Sequence, residues 1–228
     1  MNIGIKKYRG VGMALAILFA SLALNLIFLA LPEAHAASSD WNLLQTGTTI
    51  NAIKSLGPEV WIGGLGGFLY KSTDSGSTWT PSPSSTGGSD IRGMFFVDSN
   101  TGYAVGTGGK IRKTTDGGLS WAAQNSNTTS NLNAIFCRST SLCWAVGEIN
   151  TIRKTSDGGA TWTMLTSGGS SSTTWLDVFF SDDTNGVIGG NFGGLRYTTN
   201  GGSTWSLGSG CVGNQTESVY LVSNTSWY

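Results

Sequence analysis

The stretch "KTSDGGATW", residues 154–162, is too polar for a core and too patterned for a linker. It has three near copies: "KSTDSGSTW" at 71–79, "KTTDGGLSW" at 113–121 and "YTTNGGSTW" at 197–205. Asp74, Asp116, Asp157 and Asn200 therefore follow one another at intervals of 42, 41 and 43 residues. A fixed period in that range marks a repeat architecture rather than a single site.

Each unit around the phrase reads in four parts. An apolar strand comes first: "INAIKSL" from 50, "IRGMFFV" from 91, "LNAIFCR" from 132 and "LDVFFSD" from 176. A second strand runs into a glycine turn, as in "YAVGTGG" and "GVIGGNFGG". A short third strand, such as "KIRKT" or "TIRKT", enters the nine-residue phrase, and the tryptophan opens a fourth. Four short antiparallel strands per unit describe a propeller blade, an architecture that protects its sheet edges by radial repetition. The expected fold is all-β, with blades near 50–90, 91–131, 132–175 and 176–217 and an incomplete fifth at 218–228. The segment "DWNLLQTGTT" at 40–49 looks like a fourth strand without its first three. On this count the chain supplies part of a six- to eight-bladed ring.

Within the phrase, Asp74, Asp116 and Asp157 are expected to accept hydrogen bonds from backbone N–H groups two or three residues on. Gly76, Gly118, Gly159 and Gly202 supply backbone angles that other residues resist. Trp79, Trp121, Trp162 and Trp205 are expected to bury their rings beside the next blade. Asn200 accepts the same bonds without a charge. The phrase reads as a structural hairpin clamp. One carboxylate per loop is too few for calcium, so no metal and no cofactor is expected.

Composition narrows the functional classes. Lys6, Lys7 and Arg9 precede an apolar run from Val11 to Leu31, and "AHA" at 34–36 has the form of a signal cleavage site. Residues 1–36 are read as an export signal, with a retained membrane anchor as the alternative. The expected location is a periplasm, a thylakoid lumen or the exterior. The whole chain has 13 basic and 13 acidic residues; without residues 1–36, 10 and 12 remain. That balance gives no electrostatic case for nucleic acid. The single histidine, His35, lies in the signal, which removes histidine-based catalysis from the rest. Cys137 and Cys143 flank "RSTSL" at an expected hairpin, close enough for a local disulfide, and Cys211 is left over. Sequons stand at Asn127, Asn214 and Asn224.

Two sets of residues are candidates for partner binding. The repeat puts Asn51, Arg92, Asn133 and Asp177 at one equivalent position, at the head of the inner strands and the mouth of a central channel. A second column holds Tyr70, Arg112, Arg153 and Arg196, followed by Lys71, Lys113, Lys154 and Tyr197. Adjacent strand residues face opposite ways, so the arginines and lysines form separate columns. The arginines either grip carboxylates or carbonyls of a protein partner, or pair and pack within the propeller itself.

The pattern [ST]-x-D-x-G-x-[ST]-W resembles the Asp-box, also called the bacterial neuraminidase repeat. With the export signal and the "WAVG…TIRKTSDGGATW" wording, the chain resembles the photosystem II stability and assembly factor family and its bacterial relatives. That resemblance implies a non-catalytic propeller outside the cytoplasm that binds photosystem II subunits, with an arginine-rich surface at Arg112, Arg153 and Arg196. Asp-box sialidases and xyloglucan-cleaving glycosidases share the repeat. An ordinary glycosidase needs two carboxylates about 5–10 Å apart. Yet no Arg-Ile-Pro occurs, and Glu59, Glu148 and Glu217 are the only glutamates after residue 36. An adhesive or carbohydrate-binding surface module is the third class.

Overall fold

A computed structural model describes residues 49–82, 88–192, 194–208, 215–223 and 226–227. The expected export signal, residues 40–48, Cys211, Asn214 and Asn224 lie outside them. The described residues form four antiparallel four-stranded sheets and the start of a fifth. Blade one comprises β1 (Ile50–Leu56), β2 (Glu59–Gly64), β3 (Leu69–Ser72) and β4 (Thr80–Pro81). Blade two comprises β5 (Ile91–Phe96), β6 (Gly102–Gly106), β7 (Ile111–Thr114) and β8 (Ala122–Gln124). Blade three is β9 (Leu132–Cys137), β10 (Cys143–Gly147), β11 (Ile152–Thr155) and β12 (Thr163–Leu165). Blade four is β13 (Trp175–Phe180), β14 (Gly186–Gly190), β15 (Leu195–Thr198) and β16 (Ser206–Leu207). A further pair, β17 (Leu221–Ser223) and β18 (Ser226–Trp227), follows.

Strands pair strictly in chain order, and the first strands β1, β5, β9 and β13 lie side by side, which is the radial arrangement of a propeller. The hydrophobic core sits between blades. Trp61 of blade one stacks on Phe96 of blade two at 3.8 Å between centroids, and Trp144 on Phe180 of blade four at 3.7 Å. Each ring lies over a cross-strand glycine, Phe96 opposite Gly102 and Phe180 opposite Gly186. A Cβ at either glycine would come within 2.6 Å of the ring, so glycine is a packing requirement there. In blade three the same cross-strand position holds Cys137 opposite Cys143, and the two are joined as a disulfide. The disulfide thus replaces an aromatic–glycine pair.

A second line of rings runs along the inner strands. Phe95, Phe136 and Phe179 follow at 5.0 Å each, Tyr220 continues at 4.6 Å, and the Lys54 ammonium caps the near end 4.6 Å from Phe95. Burial lowers the Lys54 pKa below the ordinary lysine value. Contacts of this kind add to plain area burial by favouring one ring geometry.

The nine-residue phrase links strands three and four of each blade at one rim. Ser72 Oγ accepts from Gly76 N at 2.8 Å, and Asp74 accepts from Thr78 N at 2.8 Å and Thr78 Oγ1 at 2.6 Å. The same bonds recur around Asp116 and Asp157. The backbone donor is therefore four residues on, not two or three, because Gly76, Gly118, Gly159 and Gly202 at φ 88–89° fold the chain back over a longer loop. Asn200 keeps the loop: Oδ1 accepts from Thr204 N at 2.9 Å while Nδ2 donates to Thr204 Oγ1 at 2.8 Å. Trp121 packs with Trp61 and Leu69, and Trp162 with Tyr103 and Ile111. These rings lie beside the preceding blade, not the next. Strand four is the outermost, and the tryptophan just before it leans back over the interface that the preceding blade has just closed.

Candidate functional site

The first strands begin at the rim opposite the Asp-boxes, together with the turns between strands two and three. At this mouth the polar side chains tie neighbouring blades together. Asn51 Nδ2 donates to the Ile91 carbonyl at 3.0 Å, and Asn133 Nδ2 to the Trp175 carbonyl at 2.8 Å. Arg92 Nη1 donates to Asn133 Oδ1 at 2.9 Å and to Glu148 Oε1 at 2.7 Å. Glu148 also accepts from Asn131 Nδ2 at 2.9 Å. Burial pushes the Glu148 pKa up, but the hydrogen bonds from Arg92 and Asn131 and the arginine charge outweigh it and leave it lowered.

Asp177 does not share that position. Gly63, Val105, Val146 and Gly189 of the second strands pair with Ala52, Gly93, Ala134 and Asp177, so Leu176 is the equivalent of Asn51, Arg92 and Asn133. The displacement arises because Trp175, not Leu176, takes the buried first place held by Ile91 and Leu132. Asp177 reaches forward instead: Oδ2 accepts from Val219 N and Ser218 Oγ, each at 2.9 Å. Burial raises its pKa, against the opposing pull of these donors.

The arginine column stands one strand further out. Arg112 and Arg153 are each only 8% exposed, and Arg196 is half-buried. Arg153 Nη2 donates to the Asn127 carbonyl at 2.8 Å, and burial lowers its pKa. One nitrogen each of Arg153 and Arg196 is buried without a hydrogen-bond partner. The lysine column points to the opposite faces. Lys113 Nζ donates to the Gly158 carbonyl at 2.7 Å and Lys154 Nζ to Gly201 at 2.9 Å, so each grips the Asp-box of the next blade. Lys71 instead pairs with Glu59 at 2.7 Å.

The sequence reading missed the second-strand aromatics that also tie each blade to the next. Trp61 Nε1 donates to the Gly117 carbonyl at 2.9 Å and Trp144 Nε1 to Gly201 at 3.1 Å. Tyr103 Oη donates to the Thr140 carbonyl at 3.0 Å; burial, with the charge of Asp157 adding, raises its pKa to about 12. The available signal was an indole or phenol recurring ten residues before each lysine, as its partner on the adjacent strand. Also missed were Asp90 and Asn131, whose side-chain oxygens accept from Gly66 N and Gly108 N of the preceding blade's turn at 2.8 Å. Among the described residues no group of three or more His, Cys, Asp or Glu could hold a metal.

Four antiparallel blades, each closed by the same nine-residue loop, with the loops of blades two to four gripped by the preceding blade, define an Asp-box, or bacterial neuraminidase repeat, β-propeller. Residues 88–169 match the family model described as "Photosynthesis system II assembly factor YCF48", and this is the protein the chain resembles. YCF48 from Cyanidioschyzon merolae superposes with a TM-score of 0.61 at 17% identity, over 80% of this chain and 66% of that one. An ancestral GH74 enzyme gives 0.61 at 19%, over 72% of this chain and 24% of that one. The GH74 enzyme of Niastella koreensis gives 0.51 at 23%, over 65% and 27%. The chain thus spans about a quarter of these GH74 enzymes and less than two thirds, 66%, of the algal protein. No curated protein matches it.

Proposed function

We propose that the chain is a non-catalytic, extracytoplasmic scaffold that binds protein partners, in photosynthetic hosts as a photosystem II assembly factor. The observation that carries this reading is the assembly-factor match over residues 88–169, the two blades that hold Arg92, Arg112 and Arg153. The acids lend support: Glu148 is held by Arg92 and Asn131, and Asp177 by Val219 N and Ser218 Oγ, as ties between blades. Arg92, Arg196 and Asn51 are the side chains within a partner's reach. Arg112 and Arg153 shape the surface from within.

The test is capture of the tagged full-length protein from its host's solubilised membranes, with Arg92→Gln and Arg196→Gln variants alongside and mass spectrometry as the readout. Photosystem II subunits are expected with the wild type and are expected to be depleted by the variants. Recovery of other proteins would remove the photosystem role and keep the scaffold. Recovery of glycan alone would replace the scaffold with a carbohydrate-binding or cleaving propeller.

A further inference from the structure

The turns between strands two and three carry exposed bulky apolar residues on three blades. Ile149 and Phe192, 63% and 79% exposed, occupy the apex that Gly66 and Gly108 fill in blades one and two. Their φ values of 56° and 54° lie with the 72° and 66° of those glycines, a region that a β-branched or bulky residue occupies only under strain. Leu65, 51% exposed, immediately precedes the apex of blade one. Each turn is closed from behind by its backbone, Gly64 N to Phe68 O, Gly147 N to Thr151 O and Gly190 N to Gly194 O at 2.7–3.2 Å. The apolar side chains are therefore held outward on stiff tips rather than gathered in a groove.

We propose that this rim docks on a lipid surface, the tips of Leu65, Ile149 and Phe192 entering the headgroup region. The proposal goes beyond protein binding and rests on different residues. Three features favour lipid as the occupant. The tips stand on separate blades, each more than half exposed, which suits a deformable medium. Of the carboxylates beside them, Glu148 is paired with Arg92, while Asp90 is held by Gly66 N and keeps its charge, so a zwitterionic surface suits this rim better than an anionic one. The chain also enters at this rim: the Thr49 carbonyl accepts from Leu65 N at 3.0 Å. The apolar run Val11–Leu31 precedes it, and residues 32–48 between them reach at most about 60 Å when extended. On the alternative reading, in which the run is retained as an anchor, the bilayer that holds it lies within reach of these tips. Isolated Phe, Ile and Leu side chains at such a boundary gain from partial burial.

The test uses the full-length chain with phosphatidylcholine vesicles carrying brominated acyl chains, which quench tryptophan on contact. Phe192→Trp places a reporter on the rim. Leu119→Trp, at a position 69% exposed on an Asp-box of the opposite rim, is the control. The emission added at 192 is expected to be quenched and that at 119 spared. Adding Leu65→Ser and Ile149→Gly to the Phe192→Trp chain is expected to abolish the quenching while a cooperative thermal transition remains. Equal quenching of both reporters, quenching at neither, or quenching at 192 that survives loss of the other tips would overturn the proposal. So would a rim reporter shielded by a host protein and not by vesicles.

Discussion

The Lys154 ammonium and the Trp144 indole converge on one acceptor, the Gly201 carbonyl, 2.9 and 3.1 Å away in the next blade's Asp-box. The ammonium also lies 5.2 Å from the Trp144 ring centroid, so one cation is shared between a ring and a carbonyl. The Asp-box is thus both a hairpin clamp and the socket into which the preceding blade plugs. Lys154→Met keeps the apolar stem and removes the charge-assisted bond. It should cost about 1–2 kcal/mol in urea unfolding. A loss below about 0.5 kcal/mol would mean that water serves the ammonium as well as Gly201 does.

The box aspartates set an acid limit. Hydrogen bonds from Thr78, Ser120 and Thr161, hydroxyl first and backbone second, hold Asp74, Asp116 and Asp157 at about 2, below the ordinary 3.8. A folded pKa below the unfolded value gives stability that is present above about 4 and lost as pH falls toward 2. Asp74→Asn, Asp116→Asn and Asp157→Asn combined should fold, because Asn200 already sustains the same loop, and should flatten that acid slope. An unchanged slope in thermal melts between pH 4 and 2 would move the acid sensitivity elsewhere.

The blade plan was legible because turn chemistry and period repeat four times, and strand order in a propeller follows chain order. Register was less legible: "WLDVFF" and "LDVFFS" fit the apolar template equally well, and only the burial of Trp175 decides between them. The candidate site was legible as residue types but not as partners. Asn51, Arg92 and Asn133 looked like a recognition surface, yet their bonds run to residues about 40 positions away, in neighbouring blades. Likewise the alternation of Arg and Lys in strand three gave opposite faces correctly, but not that Arg112 and Arg153 would lie 8% exposed. Depth in a propeller depends on how closely adjacent blades stack, which no single blade's sequence records.

The disulfide should be interchangeable with the packing it replaces. Removing it as Cys137→Ala with Cys143→Ala opens a loop with a sequence separation of 6 and should cost about 2 kcal/mol by chain entropy, with a cavity cost added. Cys137→Phe with Cys143→Gly installs the pair found at Phe96/Gly102 and Phe180/Gly186. That variant should recover most of the loss and become indifferent to dithiothreitol in urea titrations. Failure to recover would show that the space beside Tyr103 differs from that beside Trp61.

Asp177 should act as a latch on the start of the fifth blade. Asp177→Ala leaves Val219 N without its acceptor, so amide exchange at residues 218–220 should quicken while blades one to three keep their protection. Because burial raises its folded pKa, the stability tied to its protonated form is present below about 4 and lost as pH rises through the folded value. The substitution should therefore cost more at pH 4 than at pH 7. Equal costs at both would show that the carboxyl titrates normally.

Two neighbours with the same backbone angle should respond to glycine in opposite directions. Ile149 at φ 56° has an exposed side chain, whereas Asn150 at φ 53° uses its own fully. Asn150 Nδ2 donates to the Gly169 carbonyl at 2.9 Å, and Oδ1 accepts from Trp175 Nε1 at 2.9 Å and from Ser167 Oγ. Ile149→Gly relieves a left-handed cost of about 1–2 kcal/mol, less the entropy a glycine adds to the unfolded chain, and should raise the melting temperature. Asn150→Gly gains no such relief, since asparagine tolerates the region, and strands three polar groups around the buried Trp175. It should destabilise by about 1–3 kcal/mol. Calorimetry of the two single variants gives the signs directly, and a shared sign would mean that backbone strain and side-chain bonding at this turn do not separate as the geometry requires.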